Sequence, residues 1–114
     1  MREILLISDK QEYFNTFYKS LGRLPIHLSL CGNIEDAIQA LPSEKSSWIF
    51  IITDNLELLE DWIDQITSRN LEIPLVVFTK KLDQETRERL WQKNIIELVQ
   101  LPIHHKEFDH IIDS

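Results

Sequence analysis

Short apolar, β-branched runs recur along this chain at Ile4–Ile7, Ile49–Ile52, Leu75–Phe78 and Ile95–Val99. Three of the four are nearly continuous rather than alternating, the pattern of strands covered on both faces. His27–Cys31 instead alternates polar and apolar residues, as a strand near a sheet edge does. Between these runs the spacing turns helical. Lys10 to Leu21 carries Tyr13, Phe14, Phe17, Tyr18 and Leu21, and Asn33 to Leu41 carries Ile34, Ala37, Ile38 and Leu41 behind Asn33 as N-cap. Leu56 to Ser68 repeats Leu59, Ile63 and Ile66 against Glu60, Asp61 and Asp64. Asp83 to Lys93 opens on a capping aspartate and closes at Asn94, which tolerates a left-handed C-cap. Lys106 to Ile112, with Phe108, Ile111 and Ile112, reads as a short last helix.

The order β-α-β-α-β-α-β-α-β-α, with short connections, predicts an α/β domain: a parallel sheet wrapped on both faces by helices. Such sheets place their ligands at the carboxyl ends of the strands. Here those ends offer Ser8 and Asp9, Asp54, Thr79 and Leu101. No internal repeat, low-complexity run or linker divides residues 1–114. The expectation is one domain, and its early last helix fits the N-terminal fragment of a longer protein.

Composition narrows the function. Twelve Lys and Arg against nineteen Asp and Glu give a net charge of −7, which disfavours binding to a phosphate backbone. The single Cys31 excludes an internal disulfide and a cysteine-based zinc site, and fits a reducing, cytoplasmic setting. No apolar run approaches the ~18 residues of a membrane span. The two glycines, Gly22 and Gly32, form no phosphate-binding loop for a flavin or nucleotide. His104, His105 and His110 contain no i,i+4 pair, so their spacing does not favour a helical zinc site.

Taken together, Asp9 after the first strand, Asp54 after the third, Thr79 after the fourth and Pro102 after the fifth resemble a response-regulator receiver domain of the CheY-like type. The resemblance covers the whole chain and implies a flavodoxin-like (βα)5 doubly wound sheet of five parallel strands in three αβα layers. It sets Asp54 at the phosphoacceptor position and Thr79 at the switch hydroxyl; Ile73-Pro74 opens the fourth strand in the family's manner. It also marks departures. Ser8 stands where the first of two acids is usual, Leu101 where a lysine precedes Pro102, and Leu98 where an aromatic ring moves on activation. In this respect the chain is similar to the amino-terminal receiver-like domain of FleQ-type flagellar regulators, which also lacks the usual acids and has an apolar residue before that proline.

The departures matter chemically. Phosphoryl transfer to an aspartate is catalysed by positioning and charge neutralisation. Magnesium prefers octahedral oxygen ligation, and here Asp9 and Asp54 are the two carboxylates on offer. The absent lysine removes a preorganised contact of a kind commonly worth on the order of 10²–10³ in rate. Lys80 follows Thr79, but strand alternation would turn its side chain away. The resemblance therefore implies a non-enzymatic pseudo-receiver with no cofactor, acting by protein contact; the alternative is an atypical phosphoreceiver using Asp54 with Mg2+. Plainer roles stand beside these: Asp9 and Asp54 as helix caps, Thr79 as a hydroxyl bonded to backbone, and Trp48 and Trp62 as packing groups. Trp91 lies on an otherwise polar helix, either packed inward or exposed as an interface anchor. Family habit places the partner surface on the fourth helix, fifth strand and fifth helix. There Trp91, Leu98, Gln100 and Phe108, with Arg87, Glu88 and Lys106, would suit a homodimer or the chain's own output domain.

Overall fold

The computed structural model describes residues 2–41, 47–69 and 73–101. Within them the apolar runs form β1 (Arg2–Ser8), β2 (Ile26–Cys31), β3 (Trp48–Ile52), β4 (Leu75–Thr79) and β5 (Glu97–Gln100). The helices are α1 (Gln11–Leu21), α2 (Ile34–Gln39), α3 (Leu56–Thr67) and α4 (Gln84–Trp91). All strand pairs are parallel and the sheet order is β2-β1-β3-β4-β5, the flavodoxin-like arrangement. The expected Lys106–Ile112 helix, with Phe108, Pro102 and the three C-terminal histidines, lies outside the described residues.

Alternation along the central strands divides the core in two. Leu5, Ile7, Ile49, Ile51, Val77 and Leu98 face Ile34 and Ala37 of α2, Leu59, Trp62, Ile63 and Ile66 of α3, and Leu90 of α4. Ile4, Leu6, Phe50, Ile52, Val76, Phe78 and Val99 face Tyr13, Phe17 and Leu21 of α1. On this second face Phe17, Phe50 and Phe78 meet edge to face, with centroid separations of 5.0 to 6.4 Å. The continuous runs are thus the doubly buried strands, and the alternating His27–Cys31 run is an edge strand, as its pattern predicts.

Side-chain caps start three helices: Asn33 accepts from Asp36 N–H, Asn55 from Leu58 N–H and Asp83 from Thr86 N–H. Two boundaries differ from the sequence reading. Helix α4 stops at Trp91, and its C-cap Gln92 is right-handed, so Asn94 does not close it. Strand β5 begins at Glu97 rather than Ile95, leaving Ile96 exposed before it.

Helix α3 is ion-paired to α4 and to the turn just beyond it. Arg89 Nη2 lies 2.6 Å from Glu60 Oε1, and Lys93 Nζ lies 2.8 Å from Asp64 Oδ1. Residues 60 and 64, like 89 and 93, are four apart, so the two bridges run side by side. Glu60 is the more enclosed acid, with 21% of its side chain exposed against 62% for Asp64. We expect Arg89→Met to lower stability by about 1–2 kcal/mol by stranding a partly buried carboxylate, and Lys93→Met to cost less than about 1 kcal/mol as a surface pair. Urea denaturation of both variants measures this; equal losses would contradict the assignment.

Candidate functional site

The register brings the carboxyl ends of β1, β3 and β4 together. Ser8 pairs with Ile52, and Ile52 in turn with Phe78. The chain leaves each strand through a buried hydroxyl residue: Ser8, Thr53 and Thr79. Ser8 Oγ accepts from the Lys10 N–H at 3.2 Å and turns the backbone into α1. Thr53 Oγ1 accepts from the Asn55 N–H at 3.3 Å, and Asn55 then caps α3. Asp54, between them, is therefore free of capping duty, contrary to the simpler reading of that residue. Asp9 is no cap either: α1 starts on Lys10, which makes no side-chain capping bond, and Asp9 is exposed.

The Asp54 carboxylate turns toward α1 and is held there. Lys10 Nζ donates to Oδ2 across 44 residues of chain. Tyr13, one turn into α1 and buried, donates its hydroxyl to Oδ1 at 2.5 Å. Lys80 Nζ stands 3.8 Å from Oδ2 and 5.8 Å from the centre of the Tyr13 ring. This corrects the expectation for Lys80: β4 ends at Thr79, so strand alternation does not extend to the next side chain, which reaches the acid. Lys10 and Tyr13 are the site residues that sequence reasoning missed. Both were legible, but as a helix start and an apolar-face position.

The remaining positions fall around this cluster. Thr79 is buried, and its hydroxyl donates to the Lys81 carbonyl at 3.3 Å, the backbone role open to it. Leu101 is half-buried against the α1-side core, and its N–H donates to the Thr79 carbonyl at 2.9 Å. Leu98 is buried on the opposite face, 7% exposed, so its side chain is not on offer to a partner. Gln100 is exposed, and Trp91 is 46% exposed. A groove of about 330 Å³, bordered by Ile66, Pro74 and Ile96, lies at the other end of the sheet, away from this cluster.

Electrostatics follow the geometry. Burial opposes ionisation of Asp54, but hydrogen bonds from Lys10 and Tyr13 and the charges of Lys10 and Lys80 outweigh it and hold the carboxyl below its usual range. The Lys10 ammonium is correspondingly raised, chiefly by its bond to Asp54. Burial, then the adjacent carboxylate, pushes the Tyr13 phenol upward, so it stays a proton donor. Magnesium asks for several oxygen ligands. Here one Asp54 oxygen accepts from an ammonium and the other from a phenol, Ser8 is neutral, and Asp9 stands exposed. Among the described residues no group of three or more His, Cys, Asp or Glu is placed to hold a metal ion. The donor set does not fit the divalent cation.

Comparison with known proteins agrees with this fold. A family model described as flagellar regulatory protein FleQ matches residues 3–113. The chain is similar to a response regulator receiver protein from Pseudoalteromonas atlantica, with a TM-score of 0.78 and 14% identity over 97% of this chain and 93% of that one. It is similar to the non-phosphorylated HemR receiver domain from Leptospira biflexa, with a TM-score of 0.76 and 20% identity over 100% and 96% of the two chains. A third similar structure is the receiver domain of sensor histidine kinase PA1611 from Pseudomonas aeruginosa, which coordinates magnesium in its active-site cleft. Its TM-score is 0.71, with 18% identity over 97% and 93% of the chains. No curated protein sequence matches.

A depressed native pKa contributes stability that is present above the unfolded-state value and lost as pH falls through the native one. Asp54 therefore stabilises the fold at neutral pH and ceases to do so in acid, below about pH 4. We expect Asp54→Asn to flatten the acid limb of the stability–pH curve without abolishing it, because Asp83, through its cap bonds to Thr86, is depressed as well. Denaturation midpoints measured across that range in both proteins check this; parallel limbs would show that Asp54 is unheld.

Proposed function

Since this chain belongs to the FleQ family, we propose that it is a receiver-like regulatory domain in bacterial signal transduction or transcription control, working by protein–protein contact rather than by ordinary phosphorylation of Asp54. One observation carries the reading: both carboxylate oxygens of Asp54 are hydrogen-bonded within the chain, by Lys10 and Tyr13. A phosphoacceptor has to present an oxygen to its donor, with a metal ion and a lysine to neutralise the incoming charge. Here Ser8 and Leu101 occupy the acid and lysine positions of the family pattern, and the acid is already neutralised from inside. The domain so read is not an enzyme and has no cofactor.

Its partners are proteins. The net charge of −7 disfavours direct nucleic-acid binding, and no helix among the described residues is long and apolar enough to cross a membrane. A cytoplasmic setting is part of the same proposal. Trp91, Arg87 and Glu88 of α4 and Gln100 of β5 are all exposed. An exposed tryptophan beside paired charges is the composition of an interface anchor with a polar rim, suited to a second copy or to the regulator's own output domain. We expect Trp91→Ala to weaken self-association, or binding to an output domain supplied in trans, by roughly tenfold. Sedimentation or calorimetry reads that change, and unchanged association would remove Trp91 from the interface.

A second reading keeps Asp54 as an atypical phosphoacceptor with Mg2+. The observation in its favour is Lys80, whose ammonium lies 3.8 Å from Asp54 Oδ2 and offers a cation where Leu101 offers none. Two-dimensional amide NMR separates the two. We expect no response to millimolar magnesium with beryllofluoride. Shifts at Asp9, Asp54 and Thr79 that spread to Leu98 and α4 would establish the phosphoreceiver.

A further inference from the structure

We propose that the free side of β2 is a self-association surface, where a second copy of this chain pairs its own β2 antiparallel and continues the sheet. This goes beyond the proposed function and is independent of the reading of Asp54: it gives the second copy to β2 and leaves the Trp91 face to a partner of different sequence.

The two edges of the sheet are built differently. The β5 edge is four residues long, opens on exposed Glu97 and closes on exposed Gln100. Short length and a charge are what keep an edge strand from pairing with another chain. The β2 edge is six residues long, Ile-His-Leu-Ser-Leu-Cys, with no Asp, Glu, Lys, Arg or Pro. In a chain of net charge −7 it is a neutral stretch, so two copies meet there without repulsion from the strand itself. Among the described strands only β1 pairs with it. Apolar surface is also left open on this side. Leu6 pairs with Leu30 and Ile4 with Leu28, so two apolar rows on the α1 face cross β1 and stop at β2, where Leu30 is 42% exposed. Helix α1 packs over β1 and β2 through Tyr13, Phe17 and Leu21. In a right-handed β1–α1–β2 crossover, the right-handed helix then turns Phe14 and Tyr18 toward the outer side of β2. Phe14 is half-buried against the core, and Tyr18 is 64% exposed.

A second copy is the occupant because the strand complements itself. With a two-fold axis normal to the sheet, both α1 helices lie on one face, and residues opposite each other across the junction share a face. The register that uses all three apolar positions is centred on Leu28. It sets Leu28 against Leu28, Ile26 against Leu30 and His27 against Ser29 of the second copy. The α1 face then carries only apolar pairs, which extend the rows of Ile4 and Leu6, and the other face carries the polar pair. The ends are complementary in charge. Arg23 is exposed just before β2, and Glu35 and Asp36 are exposed just after it, with Asn33 Nδ2 donating to the Asp36 carboxylate. Antiparallel crossing brings the basic end of each copy to the acidic end of the other. A parallel neighbour would set like charges together.

The test is sedimentation equilibrium, with amide hydrogen exchange read at low and high protein concentration, on the native chain, Leu30→Lys and Ile96→Lys. Leu30→Lys puts a charge on the uncovered row of β2, and Ile96→Lys makes the same change at an exposed residue beside β5. We expect the native chain to self-associate at micromolar concentration. Protection of the Ile26–Cys31 amides should rise with concentration while that of Glu97–Gln100 stays constant. Leu30→Lys should weaken association by at least roughly tenfold, because the junction would bury a charge against apolar neighbours, and Ile96→Lys should leave it unchanged. A native chain that stays monomeric at millimolar concentration, or that associates without added protection in β2, overturns the inference and leaves the reading of Asp54 standing. Association kept in Leu30→Lys and lost in Ile96→Lys places the second copy at β5 and overturns it as well. The exchange comparison on the native chain decides the matter even where Leu30→Lys fails to fold.

Discussion

The central strands β1, β3 and β4 are covered on both faces, and this constraint governs where chemistry can occur. From Ile4 to Ile7, Trp48 to Ile52 and Leu75 to Phe78 essentially every side chain is withdrawn from water. A polar group placed inside those runs would need a partner that the apolar layers do not supply. Hydroxyls close the strands where they leave the core, at Ser8, Thr53 and Thr79, and each of them has a backbone partner. Parallel pairing then aligns those exits along one edge. The polar cluster is thus a consequence of the two core layers: they exclude charge from the sheet and deliver it to the rim.

At that rim the competition is between ways of neutralising one carboxylate. Burial alone would raise the Asp54 carboxyl above its usual range. The opposing effects come from Lys10, Tyr13 and Lys80, and they prevail, leaving an ionised acid whose hydrogen-bonding capacity is largely used. Here cations of the chain itself, Lys10 and Lys80, meet the acid and join three loops around it. The magnesium-coordinating receiver of PA1611 shares the fold at 18% identity. Shared fold by itself does not fix the chemistry of a site.

Helix α4 is held differently from the other helices. It is amphipathic only weakly, with Thr86 and Leu90 as its buried residues, so packing alone grips it loosely. The Arg89–Glu60 ion pair ties it to α3, and Lys93, just past its C-cap, pairs with Asp64 of the same helix. Holding α4 in this way fixes the outward direction of Trp91.

Much of this protein was legible in one dimension. Hydrophobic period separated strands from helices, distinguished the doubly buried runs from the edge strand, and located the caps Asn33 and Asp83, because these properties depend on neighbours a few residues away. The positions Ser8, Asp54 and Thr79 followed from the same local rule, that chemistry collects where parallel strands end. Leu98, expected on the partner surface, instead turns into the core, because β5 pairs with β4 in a register that sets it opposite Val77. Period had no access to which elements face each other. Lys10 and Asp54 are 44 residues apart, and a long flexible ammonium selects its partner by proximity in space. That proximity exists because β1 lies between β2 and β3, and because β4 ends one residue before Lys80. Exposure of Trp91 was likewise decided by the orientation in which α4 docks. Local pattern determined the elements and the rim; strand order and helix docking decided which charges meet there, because Coulomb interactions depend on distance through space and not along the chain.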